Sequence, residues 1–261
     1  MERTAELALE GLAELRRMRP MIHHITNDVV TNFTANVTLC LGAAPVMAPA
    51  VEESAEMVAA AGCLLLNIGT LSPLQLESML AAGRRANELG IPVVLDPVGA
   101  GATPLRTSSV ERLLGSLSIA VIRGNAGEVL SCAGAGGRVR GVDSMETGAA
   151  DRSVFDALAL RLGGVVAVTG AVDYVTDGRD SLEVPFGHPM MGMVTGTGCG
   201  ASTAVACFAA LGGRMLDRCA GALAAYGAAG MRAASAAGGP GTFVPLFLDA
   251  LASLGPEDFC G

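Results

Sequence analysis

The chain has 261 residues, of which 51% are hydrophobic and 16% charged, and a net charge of −8. All 17 basic residues are arginine. With that net charge and no visible basic stripe, a nucleic-acid binder built on one is excluded; the absence of lysine excludes any mechanism that needs one, whether a P-loop or a Schiff base.

Residues 1–20 (MERTAELALEGLAELRRMRP) read as an amphipathic, charged helix and not as a signal peptide. No apolar run reaches the roughly 18 residues needed to span a membrane, so a soluble protein is expected. Short, β-branched runs then alternate with helical patterns. Cys63–Ile68, Ile91–Leu95, Ile119–Ile122 and Val165–Thr169 lack polar alternation, which predicts strands buried on both faces. Pro73–Leu89, with Leu76, Met79 and Leu80 on one side, predicts an intervening helix. Tyr174–Val184 reads as a hairpin turning at Asp177-Gly178.

The last third is helical. Ala201–Leu211 carries Ala201, Ala204, Val205, Phe208 and Ala209 on one face, and Leu216–Ala236 and Phe243–Leu254 follow, separated by Gly238-Gly239-Pro240-Gly241. No linker, repeat or low-complexity tract interrupts the chain. The expectation is one domain over residues 1–261, α/β in class, with a mostly parallel sheet between two helical layers. The seven cysteines (Cys40, Cys63, Cys132, Cys199, Cys207, Cys219, Cys260) are odd in number and form no C-x-x-C pair. Neither a disulfide framework nor a zinc site is expected, and a reducing cytoplasm fits.

In open parallel sheets ligands bind beyond the carboxyl ends of the strands. Four predicted ends carry polar residues and glycines there: Asn67-Ile68-Gly69-Thr70, Asp96–Gly101, Arg123–Glu128 and Thr169-Gly170. The strongest local signal is Thr195-Gly196-Thr197-Gly198-Cys199-Gly200, at the head of a predicted helix. Three glycines there permit close backbone approach, and a helix N-terminus attracts anions. Without a lysine it is no Walker A loop, and a tight packing turn is the plainer alternative. Asp96 and Glu128 suit Mg²⁺ held through waters, or else helix caps or surface positions. Arg123 suits a phosphate or a structural ion pair. Cys199, near a helix start, is expected to have a lowered thiol pKa, with His23, His24 and His188 as possible partners; a small buried residue is the alternative. Cys63, Cys207 and Cys219 read as packing residues.

Taken together, several segments resemble the hydroxyethylthiazole kinase family of the ribokinase-like superfamily. They are His24–Asn36 (HITNDVVTNFTAN), Gly42–Met47 (GAAPVM), Leu66–Leu71 (LNIGTL), Leu95–Thr103 (LDPVGAGAT), Ile122–Glu128 (IRGNAGE), Val168–Gly170 (VTG) and Val194–Cys199 (VTGTGC). The resemblance implies transfer of the ATP γ-phosphoryl group to the primary alcohol of 4-methyl-5-(2-hydroxyethyl)thiazole. It implies that Met47 and Gly196 contact the thiazole, with Asn27, Val29 and Gly69 nearby. Arg123 and Thr169 would belong to the ATP site, and Asp96 and Glu128 to the Mg²⁺ region. It also implies a homotrimer with active sites between subunits and no separate lid domain. Many ribokinase-like enzymes have Asp as the base where this chain has Cys199. A pyrimidine or pyridoxal kinase is the nearest other reading. A hydrolase using Cys199 as nucleophile and a non-catalytic nucleotide-binding oligomer stand further off.

Overall fold

The computed structural model describes residues 1–134 and 149–259; Cys260 lies outside them. In chain order the elements are α1 (Glu2–Met18), β1 (Met21–Ile25), α2 (Thr31–Leu41), β2 (Ala44–Met47), α3 (Ser54–Val58), β3 (Cys63–Asn67), α4 (Pro73–Leu89), β4 (Val93–Asp96), α5 (Pro104–Ser116), β5 (Val121–Asn125), α6 (Ala126–Cys132), α7 (Ala149–Leu162), β6 (Val165–Thr169), β7 (Asp173–Thr176), β8 (Ser181–Val184), α8 (Thr197–Ala209), α9 (Met215–Ala236) and α10 (Pro240–Ala252). The eight strands form one sheet in the order β2-β1-β3-β4-β5-β6-β7-β8. All pairings from β2 to β6 are parallel, and β7 and β8 add antiparallel strands at one edge.

Alternate residues of each buried strand feed two separate cores. Cys63, Leu65, Val94, Val121, Val165 and Ala167 pack with α1, α2, α8, α9 and α10. Leu64, Leu66, Val93, Leu95, Ile122, Val166 and Val168 pack with α3 to α7. The first layer is built from small residues, and helices approach closely there. A Cβ added to Gly221 of α9 would stand 2.7 Å from the Leu7 carbonyl oxygen of α1.

The sequence expectations hold for α4, β6 and the hairpin, whose turn closes when Asp177 Oδ1 accepts from the Arg179 and Asp180 amides. Several boundaries differ. β5, expected over Ile119–Ile122, runs from Val121 to Asn125, so Arg123 lies within it. β4 begins at Val93, after Pro92, which has no amide to give the ladder. α10 begins at Pro240, a residue pre-set for the first helical position, so only Gly238 and Gly239 of the expected turn lie outside it. α8 begins at Thr197, four residues earlier than expected. Gly196 adopts φ 97 and ends the turn, so Thr197–Gly200 are already helical.

Arg16, in the last turn of α1, reaches across to the carboxyl end of α10. Its guanidinium donates to the carbonyls of Leu254 (3.1 Å), Ala252 (3.4 Å) and Leu251 (3.5 Å). A cation over the unpaired carbonyls of a helix end stabilises it. Arg16→Ala is expected to lower stability by about 1–2 kcal/mol and the melting temperature by roughly 2–6 °C, in a thermal melt with turnover per folded molecule unchanged.

Candidate active site

The strand order reverses at β1: the chain runs outward to β2 and then returns to pair β3 on the other side. Such a switch point opens a crevice at the carboxyl ends of the strands. Asn27, two residues beyond β1, and Asn67, the last residue of β3, meet there with Asn27 Nδ2 donating to Asn67 Oδ1 at 2.8 Å. The two loops are stitched twice more. Gln75 Nε2 donates to the Thr26 carbonyl (2.6 Å), and the Asp28 amide donates to Thr70 Oγ1 (3.0 Å).

Asn67 is the hub of this crevice. Its Nδ2 donates to Asp96 Oδ2 (2.7 Å) and to Cys199 Sγ (3.2 Å), while its Oδ1 accepts from Asn27 and from the Gly69 amide (2.9 Å). All four hydrogen-bonding positions of the carboxamide are filled, which fixes its orientation. Gly69 is held so close that a Cβ there would lie 2.6 Å from Asn27 Nδ2.

Asp96 ends β4 and is 1% exposed. Its hydrogen bonds, from Asn67 and from Ser202 Oγ (2.9 Å), both fall on Oδ2. Burial pushes its pKa up to about 6, against the pull of the Arg123 charge, with Glu128 adding to the rise. Arg123, buried on β5, donates to the Gly198 carbonyl (2.8 Å) and to Thr169 Oγ1 at the end of β6. Its Nε has no partner among the described residues. Behind Thr169, Asp173 Oδ1 accepts from the Gly170 amide (2.9 Å), and burial raises this carboxyl to about 7.

The first turn of α8 faces this group. No side chain caps it, and the leading amides of a helix have no acceptor within it. From below, Tyr226 of α9 donates its hydroxyl to the Thr197 carbonyl at 2.8 Å. Cys199 is the third helical residue. The expected lowering of its thiol pKa does not occur: burial and the neighbouring Asp96 charge raise it, outweighing the Asn67 and Asn27 hydrogen bonds and Arg123. None of the histidines bonds to it. His23 Nε2 pairs with the Ala48 carbonyl, His24 Nε2 with Thr38 Oγ1, and His188 Nδ1 with the Met190 amide. The six described cysteines are free, and Cys63, Cys207 and Cys219 are buried as expected.

Asn27, Gly69, Asp96, Arg123, Thr169, Gly196 and Cys199 therefore converge at one edge of the sheet. Glu128 stands beside them as a helix cap, one of the alternatives its position allowed. It closes a capping box at the head of α6: Oε2 accepts the Asn125 amide, and Oε1 accepts the Gly99 amide, each at 2.9 Å. Met47 ends the edge strand β2, half-buried, and Val29 is 68% exposed on the turn before α2. Neither is hydrogen-bonded to the central group. Four residues that shape the site were not assigned a role from sequence: Asn67, Ser202, Tyr226 and Arg106. Only Asn67 stood at a marked strand end.

The sheet order and the two helical layers give the chain a ribokinase-like α/β fold. A ribokinase-like superfamily protein from Enterococcus faecalis superposes with a TM-score of 0.64 at 13% identity, over 88% of this chain and 86% of that one. The chain belongs to the hydroxyethylthiazole kinase family, whose sequence model matches residues 12–257. It is similar to the hydroxyethylthiazole kinase of Methanoculleus marisnigri, 54% identical over 96% of this chain and 90% of that protein. It is also similar to a solved hydroxyethylthiazole kinase protein from Pyrococcus horikoshii, with a TM-score of 0.87 and 41% identity over 95% and 93% of the two chains.

Proposed function

We propose that the chain transfers the γ-phosphoryl group of ATP to the hydroxyl of 4-methyl-5-(2-hydroxyethyl)thiazole, a step of thiamine biosynthesis or salvage. The observation that carries this reading is the uncapped first turn of α8, set against buried Arg123 and Asp96 on adjacent strands. The alcohol oxygen forms a bond to the γ-phosphorus, the bond to the β-phosphate oxygen breaks, and the alcohol proton is lost. Such a transfer needs positioning and charge stabilisation more than covalent help.

In this reading the α8 amides hold the transferring phosphoryl oxygens. Arg123 and Thr169 bind the ATP phosphates. Asn27, Gly69, Gly196, Met47 and Val29 line the alcohol pocket. Mg²⁺ fits the donor set: both hydrogen bonds to the Asp96 carboxylate fall on Oδ2, and Mg²⁺ on a triphosphate needs only one or two carboxylates plus water. Asp96 would hold it, with Glu128 supporting its waters, and its chemistry is to neutralise the phosphate charge. The half-exposed edge strand β2 is the surface on which a neighbouring subunit of a homotrimer would complete the pocket around Met47. No helix among the described residues is long and apolar enough to cross a membrane, in keeping with a cytoplasmic enzyme acting as one domain.

With its thiol raised above the ordinary range, Cys199 is protonated at neutral pH. In this reading it shapes the alcohol site, and the proton leaves with the phosphate. Cys199→Ala is expected to keep turnover at pH 7 within about tenfold of the parent, since general-base loss typically removes 10²–10⁴-fold; a loss in that larger range would restore the base role. The function itself is tested by coupled ADP release with hydroxyethylthiazole, hydroxymethylpyrimidine and pyridoxal, with and without Mg²⁺. Release is expected with the thiazole and Mg²⁺ together, and its absence would overturn the proposal.

A further inference from the structure

Arg106 lies in the first turn of α5, three residues after the N-cap Thr103. That is a poor place for a cation, because the helix dipole presents its positive end there. It is also the position where a capping box carries an acid, and α6, built on the same plan, has Glu128 at the equivalent place. A local rule broken in this way points to a demand from elsewhere in the fold.

The demand is visible in what the guanidinium touches. Nη1 donates to the carbonyls of Ile68 (2.9 Å) and Val98, and Nη2 donates to the carbonyl of Gly69 (2.8 Å). No carboxylate pairs with Arg106 among the described residues. Its planar fork thus gathers three backbone oxygens from two different strand-end loops. Ile68 and Gly69 follow β3 and belong to the Asn27–Asn67–Cys199 group. Val98 follows β4, and its neighbour Gly99 donates its amide to Glu128. Beside the Asn67–Asp96 bond and the Ile68 amide on the Asp96 carbonyl, Arg106 is therefore a further polar link from the loop on the alcohol side to the loop on the phosphate side, the one that reaches past the strand ends to Gly69 and Val98. Gly69 has no slack, since its amide is bonded to Asn67 and a Cβ placed on it would collide with the Asn27 side chain. A shift of Gly69 moves the carboxamide pair with it.

We infer that Arg106 is a positioning residue that holds the β3–α4 and β4–α5 loops in register, and so sets the alcohol against the γ-phosphoryl group. The inference rests on the proposed kinase reading. A lysine cannot reproduce it, because a compact ammonium lacks the planar fork. Misplacement by about 1 Å is enough to lower turnover on the order of 10²-fold. When the alcohol is misplaced and the phosphates are not, water competes for the phosphoryl group.

The test is a comparison of parent, Arg106→Met and Arg106→Lys for ADP released and for thiazole phosphate formed, at varied alcohol and at varied ATP. Expected for Arg106→Met are a fall in kcat of about 10²-fold, a raised KM for the alcohol, and a KM for ATP within about twofold of the parent. ADP release should exceed phosphorylated alcohol, where the parent gives one for one. Arg106→Lys should be intermediate in coupling, and it serves as the readout if Arg106→Met does not fold. In Arg106→Ala, added guanidinium ion should restore part of the coupled product. A variant with parental coupling and both KM values unchanged, altered only in melting temperature, would overturn the inference. A parent that forms no thiazole phosphate would instead overturn the proposed function.

Discussion

Asp96→Asn is expected to remove at least 10²-fold of turnover while making the ligand-free protein more stable at pH 8. Asparagine keeps the shape, and its Oδ1 still accepts from Asn67 and Ser202, the two partners of Asp96 Oδ2. What it removes is a buried charge. The folded pKa is raised to about 6, against about 3.9 for an unfolded aspartate. Below pH 4 both states hold the proton and the residue has no pH-linked effect. Between pH 4 and 6 the unfolded chain releases its proton first, so stability is lost as pH rises through the folded pKa. At pH 8 the accumulated loss is about 3 kcal/mol, and the variant escapes it. Melting curves at pH 4.5 and pH 8 should therefore show a small difference between variant and parent at the lower pH and a large one at the higher. A variant no more stable than the parent at pH 8 would contradict this account of the site. The exchange of stability for a poised charge is what a functional position predicts.

The second large effect concerns the floor of the anion turn. A Cβ at Gly200 would lie 2.1 Å from the hydroxyl of Tyr226 and 3.0 Å from the Phe33 ring. Tyr226 is 2% exposed, and its hydroxyl is bonded to the Thr197 carbonyl, so it has nowhere to swing. Gly200→Ala must push the first turn of α8 away from α9 or break that bond. Either displaces the amides proposed to face the phosphoryl group. About 3 kcal/mol of stability and about 10²-fold of turnover should be lost. Tyr226→Phe placed on top of it removes the nearest atom and should recover part of both. If the double variant is as poor as the single one, the tyrosine is not what fixes the turn.

The sheet was readable because its central strands are buried on both faces, and Cys63–Asn67 and Val165–Thr169 are short apolar runs that nothing else explains. β1 and β2 were not predicted as strands. Met21–Ile25 holds two histidines, His23 and His24, and Ala44–Met47 holds a proline, so neither shows the uniform apolar character of its neighbours. In the fold both histidines are buried and bonded. Asp96 and Thr169 are legible because each closes its strand, and Arg123 because it stands near the expected end of β5, which in the fold runs on to Asn125. The links between them are not. Asn67, Ser202, Tyr226 and Arg106 come from four separate elements and act through contacts that sequence spacing does not encode. The Cys199 thiol departs from the expected lowering for the same reason. The helix-end field is local and visible in the sequence, whereas its burial and the Asp96 charge are brought by the fold.

The Arg16 clamp and the bedding of α1 along α9 have a bearing on the order in which the molecule assembles. On a ribosome the β3-to-α6 stretch emerges as consecutive neighbours and can close one side of the sheet as it appears. The opposite side cannot follow that schedule. The inward face of α1, with Ala8, Leu12 and Leu15, stays uncovered until α9 has been made, and the carbonyls that Arg16 holds belong to the still later segment around Leu251–Leu254. The half-site at Asp96 thus takes shape on a nascent chain, whereas the turn that faces it waits for a layer sealed last by contacts of long sequence separation, the kind that slow folding.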